Sequence, residues 1–126
     1  MVQVENAQLT TECNAWRATL RQFRDELHQA NSKLQKAASR TLSKEQLQDV
    51  EHLQNQFHIQ LINIHDLKQA IKVHDRKISY ELSENNGQLN EDTVATHENI
   101  FGQFQDLEAT VAELKEEFSH FLSKIS

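Results

Sequence analysis

From Leu9 to Ala37 an apolar or small side chain returns at every third or fourth position: Leu9, Cys13, Trp16, Leu20, Phe23, Leu27, Ala30, Leu34 and Ala37. The steps alternate between four and three, so these residues fall on one narrow stripe of a helix. Long helices with such a seam bury it by packing lengthwise on one another. Little interrupts the chain. Its 126 residues include no proline, and Gly87 and Gly102 are the only glycines. Proline and glycine are the usual breaks, so their scarcity predicts a few long helices rather than many short elements.

The first helix is expected over about 4–39, near 50 Å at 1.5 Å per residue, with Arg17, Arg21, Asp25 and His28 on its polar side. A second helix, about 44–85, opens on Ser43 and Gln46, the spacing of a capping box, with Leu42 and Leu47 placed as a hydrophobic staple. Its expected stripe is Val50, Leu53, Phe57, Leu61, Ile64, Leu67, Ile71, Ile78 and Leu82, closing at Asn85-Asn86-Gly87, where Gly87 can turn left-handed. A third helix, about 91–125, follows the cap residue Asn90, with Glu91 and Asp92 suited to the positive end of its dipole and Leu89 able to staple to Val94. Its stripe reads Val94, His97, Phe101, Phe104, Leu107, Val111, Leu114, Phe118, Phe121 and Ile125. Two successive steps of three, ending at Leu107, predict a phase shift and local overwinding.

The links near Arg40–Leu42 and Gly87–Leu89 are short, which forces successive helices antiparallel. The expectation is an all-α fold: one domain, 1–126, an elongated up-down-up three-helix bundle with coiled-coil-like packing. Exchange of a helix between two chains is the rival arrangement. Residues 1–80 hold 11 basic and 9 acidic side chains, whereas residues 81–126 hold 2 and 10. Arg17, Arg21, Arg24, Lys33 and Lys36 of the first helix are therefore expected to face the acidic third helix. Such exposed pairs contribute at most about 1 kcal/mol each and tune alignment only. Trp16 and Gly102 should lie at similar height, with the glycine admitting the indole beside Phe101 and with Ile71 level on the second helix. Three long helices with a tryptophan in the first resemble spectrin-type repeats in architecture. The second tryptophan usual in the third helix of those repeats is replaced here by Phe101 and Phe104, and no motif carries residue roles across.

The net charge of −6 disfavours nucleic acid or an anionic membrane as the main partner. No apolar run approaches the roughly 20 residues of a membrane span. The opening Met1-Val2-Gln3-Val4-Glu5 lacks the basic and apolar parts of a signal peptide, so a cytoplasmic location is expected. Cys13, the only cysteine, cannot form an internal disulfide, and a cysteine-based zinc site within one chain is not expected. In the seam it reads as a small buried hydrophobe.

Seven histidines raise the question of metal. Glu117 with His120, Asp25 with His28, and Asp49 with His52 have the i, i+3 spacing that puts two ligands on one helical face. Their neighbours in the stripes leave these pairs outside or at the seam edge. His65-Asp66 and His74-Asp75 lie nine residues apart, which turns them to different sides of the helix, as ordinary polar residues flanking the seam. His97 occupies a stripe position and reads as a core-edge histidine bonded to a carboxylate or carbonyl. No metal site, cofactor or catalytic constellation is expected.

The middle of the second helix carries more apolar surface than its main stripe. Ile59, Ile62, Val73 and Tyr80 cluster on the opposite side. They point to a self-association or partner surface built around Gln60-Leu61-Ile62-Asn63-Ile64. The functional expectation is a non-enzymatic bundle acting through its surfaces, as a homodimer or with another helical protein. A metal-binding bundle using His and carboxylate side chains is the alternative.

Overall fold

The computed structural model describes residues 2–125, with side chains described from Ala7 to Ile125. Three helices account for most of the chain: α1 (Val2–Ala38), α2 (Lys44–Glu84) and α3 (Glu91–Ile125). Each lies within two residues of its expected bounds. At 41 residues α2 is about 60 Å long. No strand is present among the described residues. Among the described residues no helix is long and apolar enough to cross a membrane.

Contacts run down one helix as they run up the next. Between α2 and α3, Glu81 meets Thr93, His74 meets His97, Phe57 meets Phe118 and His52 meets Glu117. Between α1 and α3 the numbers rise together, from Trp16 with Phe101 to Glu26 with Lys115. The bundle is therefore up-down-up. The backbone of α2 lies close to both neighbours, whereas α1 and α3 approach each other less and are bridged largely by side chains.

The links are held by local bonds. Ser43 Oγ accepts from the Gln46 N–H at 3.1 Å and the Ser43 N–H donates to Gln46 Oε1 at 2.9 Å, so the capping box forms in both directions. After α2, Asn86 (φ 55°) turns left-handed first and Gly87 (φ 81°) follows. The Gly87 N–H reaches back to the Leu82 carbonyl at 3.0 Å, closing the helix end with a six-to-one bond. The staples form by halves: Leu42 and Leu89 pack against the core, while Leu47 and Val94 stay exposed.

The buried seam alternates by three and four along α2, through Val50, Leu53, Phe57, Gln60, Ile64, Leu67, Ile71, His74, Ile78 and Glu81. Along α3 it runs through Thr93, His97, Ile100, Phe104, Leu107, Val111, Leu114, Phe118 and Phe121. Two sequence expectations are corrected here. In α2 the seam passes through polar Gln60 and Glu81, leaving Leu61 and Leu82 half-buried beside it. In α3 Thr93 and Ile100 take the places expected for Val94 and Phe101, which are 40% and 42% exposed. With that substitution the seam never changes phase, and the reason to expect overwinding disappears.

The charge expectation is also corrected. Arg17 pairs with Asp75 of α2 at 3.2 Å, and Arg24 with its neighbour Asp25. Among the described residues, the lysine pair joining α1 to α3 has the reverse polarity, from Lys115 of α3 to Glu26 of α1.

Along the seams the core divides into two halves. Leu27, Leu34, Leu53, Phe57, Phe118 and Phe121 fill one end, with the Phe57 and Phe118 rings edge to face at 5.4 Å. The other end, where α2 turns into α3, collects Cys13, His74, Glu81, Thr93 and His97. The apolar half supplies burial free energy and the polar half is where chemistry can reside.

Candidate functional site

Each helix contributes one donor to the polar half. Cys13 of α1 is wholly buried, and His74 of α2 and His97 of α3 are 3% and 5% exposed. All three occupy seam positions, so the same three-four spacing that builds the core aims them at one another. One donor atom of each lies within 4.8 Å of those of the other two. His74 Nε2 and His97 Nδ1 share a hydrogen bond of 2.9 Å. Trp16 roofs the pair, its ring centroid 4.7 Å from that of His97.

A ring of charge surrounds these three. The carboxylate of Glu12 stands 3.6 Å from His97 Nε2. Asp75, next to His74, accepts from Arg17 at Oδ2, while its Oδ1 is buried with no hydrogen-bond partner. His74 Nδ1 is buried with no hydrogen-bond partner as well, and His97 Nε2 has the Glu12 carboxylate before it just beyond hydrogen-bond distance. The tautomer that suits this setting has the shared proton on His74 Nε2 and the remaining His97 proton on Nε2, facing Glu12. The opposite choice would aim a lone pair of His97 at a carboxylate.

Burial holds both imidazoles below the usual histidine pKa, and for His74 the neighbouring His97 adds to the effect. Both rings are therefore neutral near pH 7. Burial first, and the Asp75 charge second, push the Cys13 thiol up to about 11. An enclosed protonated thiol is inert as a nucleophile. Its remaining uses are packing and metal ligation.

The sequence reading missed His74, which sits in the seam rather than beside it. The nine-residue argument did separate it from His65, which is exposed. Extending the three-four count from Ile71 to Ile78 would have placed His74 inside, and only its polarity argued otherwise. His97 is at the core as expected, but its close partner is another imidazole. A single cysteine leaves room for a mixed donor set, and the fold brings Cys13 together with two histidines. The indole of Trp16 is buried and stacks 5.9 Å from Phe101, as expected. Gly102 plays no part in that fit, since a Cβ there would meet nothing within 4 Å.

Asp49 and His52 of α2 and Glu117 and His120 of α3 do converge, around a small pocket of about 130 Å³. His52 Nε2 lies 2.7 Å from Glu117 Oε1, with both side chains about half exposed. Asp25 and His28 are exposed, as expected.

On the outer side of α2, Ile59, Ile62, Val73 and Tyr80 are 44%, 47%, 63% and 66% exposed. Ile59, Val73 and Tyr80 are spaced by multiples of seven, so they share one row of the helix, with Asp66 between them. Val73 also rims a groove between α2 and α3, about 520 Å³ in volume, walled by Ala70, His74, Lys77 and Ile100.

Comparison of the chain with models of known protein families, with curated proteins and with solved structures found no match.

Proposed function

We propose that this chain is a non-enzymatic interaction protein of the cytoplasm: a helical bundle that pairs through the outer face of α2, foremost with a second copy of itself. One observation carries the reading. Four large apolar side chains of α2, Ile59, Ile62, Val73 and Tyr80, stand in water on the face of the helix opposite its buried seam. From Ile59 to Tyr80 that face runs about 30 Å along the helix.

The residue spacing suits an antiparallel pairing of two identical faces. Ile59, Asp66, Val73 and Tyr80 are placed symmetrically about a point near residue 70. A two-fold axis there sets Ile59 against Tyr80 of the second copy, and Asp66 against Val73. It also brings Asp66 within reach of Arg76 and Lys77 of the second copy, so the one charge in the row gains a partner of opposite sign. The non-enzymatic part of the reading is supported by depth. The convergent groups Cys13, His74 and His97 are at most 5% exposed, which leaves an organic substrate little surface to bind.

The net charge of −6 supports a protein partner over nucleic acid or an anionic membrane. Replacing Ile59 and Ile62 together by Glu is expected to give a folded, helical protein of half the mass by light scattering. An unchanged mass, or a wild-type protein that is already monomeric at micromolar concentration, would overturn the self-association reading.

A further inference from the structure

We propose that Cys13, His74 and His97 form a buried zinc site that clamps the three helices at the polar end of the bundle. Three observations, independent of the outer face of α2, support it. Cys13, His74 and His97 come one from each helix, and one donor atom of each lies within 4.8 Å of the others. A thiolate with two imidazoles is a donor set that suits zinc. In addition, Asp75 Oδ1, on the residue next to His74, is buried without a hydrogen-bond partner and is the one such atom here that a bound ion could take as a ligand. A buried carboxylate oxygen left unpaired is costly, and ligation would satisfy it.

The geometry needs little adjustment. Two nitrogens on one tetrahedral zinc stand about 3.3 Å apart, given bonds of about 2.0–2.1 Å. His74 Nε2 and His97 Nδ1 are 2.9 Å apart and already face each other. Opening that hydrogen bond by a few tenths of an ångström turns it into a ligand pair, while a rotation of Cys13 brings its sulfur to about 2.3 Å from the ion. His74 then carries its proton on Nδ1. His97 keeps its own on Nε2, toward Glu12, the carboxylate–histidine–metal arrangement that fixes ring orientation. The fourth position falls to a water or to Oδ1 of Asp75. The thiol loses one proton to solvent per zinc bound, and no electrons move. His74 walls the groove between α2 and α3, which offers the ion a way in.

The test is a cobalt titration of the full chain after chelator treatment and dialysis, followed by zinc displacement. One equivalent of Co²⁺ should produce tetrahedral ligand-field bands together with a thiolate-to-cobalt charge-transfer band. Zinc should abolish both and raise the melting temperature. Cys13→Ser should remove the charge-transfer band while leaving helicity intact. Glu12→Gln should weaken zinc binding roughly 10- to 100-fold, as loss of a metal-orienting carboxylate does. The surface pair His52→Gln with His120→Gln should change neither result. A wild-type chain with no thiolate band overturns the proposal whatever the variants do. A response that disappears only in the surface double variant also overturns it, assigning the metal to the exposed histidines.

Discussion

The Glu81 carboxylate accepts a 2.7 Å hydrogen bond from the Thr93 hydroxyl across the α2–α3 link, with both residues sealed from solvent. Its other oxygen accepts the Asn90 N–H at 2.9 Å. Asn90 is the residue before the first turn of α3, and in a capping box its N–H would be bonded by a side chain three residues later in the same helix. Here the preceding helix supplies the acceptor. Glu81 thus fixes the angle at which α3 leaves the link, and its charge faces the positive end of the α3 dipole.

This arrangement predicts an acid-sensitive contribution to stability. Hydrogen bonds from Thr93 and from the Asn90 backbone hold the Glu81 carboxyl below its usual pKa, against the effect of burial, and Lys77 adds to this. The unfolded chain therefore binds the proton more readily. The contribution is complete above the ordinary glutamate value of about 4.3 and is lost as pH falls below it through the lower folded value. Glu81→Gln is expected to cost about 1–2 kcal/mol at pH 7, the difference between a charged and a neutral acceptor. Urea unfolding at pH 7, 5 and 3.5 should show the gap between wild type and variant closing only at the lowest pH. A gap that is constant with pH would mean that the charge of Glu81 stabilises nothing.

Thr93 offers a second check. It is wholly buried in a seam otherwise rich in apolar residues, so valine looks like an improvement. Thr93→Val keeps the shape but removes the donor, leaving Glu81 Oε2 buried and unpaired. The expected result is a loss of about 1–3 kcal/mol. A more stable Thr93→Val protein would show that water replaces the hydroxyl at no cost.

The sequence revealed most of the fold and less of the site. Helix bounds and the Ser43–Gln46 box were legible because they depend on local patterns of two to seven residues. The α1 seam from Leu9 to Ala37 was legible because every position in it is apolar or small. The reading failed where polarity and periodicity disagreed. At Gln60, His74, Glu81 and Thr93 the three-four count continues through a polar residue, while an apolar neighbour such as Leu61, Leu82 or Val94 lies one position away. Choosing the apolar neighbour is the sound choice for one helix taken alone. It fails here because Glu81 and Thr93 satisfy each other, and because His74 and His97 share a hydrogen bond. Partnerships across two helices leave no mark in the spacing of either one.

The two glycines should respond oppositely to the same change. Gly102 lies inside α3, and a Cβ there would meet nothing within 4 Å. Gly102→Ala is expected to stabilise the protein by about 0.4–1 kcal/mol, through the lower entropy of the unfolded chain. Gly87 also has open space around it, but its φ of +81° lies in the left-handed region. Gly87→Ala should cost about 1 kcal/mol from backbone strain alone. Paired thermal melts decide the matter, and a loss at Gly102 would mean that this stretch of α3 needs its glycine for a contact beyond the single chain.

The register of α3 can be tested by a comparison in which the smaller side chain matters more. Ile100 is 4% exposed and faces the core, whereas Phe101 is 42% exposed and touches it through its stack on Trp16. Truncating a buried isoleucine to alanine costs about 2–5 kcal/mol, through lost transfer free energy and the cavity left behind. The exposed stack is worth about 0.5–1.5 kcal/mol beyond its area. Ile100→Ala should therefore destabilise the bundle more than Phe101→Ala, although phenylalanine is the larger residue. Chemical denaturation of the two variants side by side settles the order. A greater loss at Phe101 would place Val94 and Phe101 in the seam and require α3 to rotate by about 100°, carrying Thr93 and Ile100 out of the core.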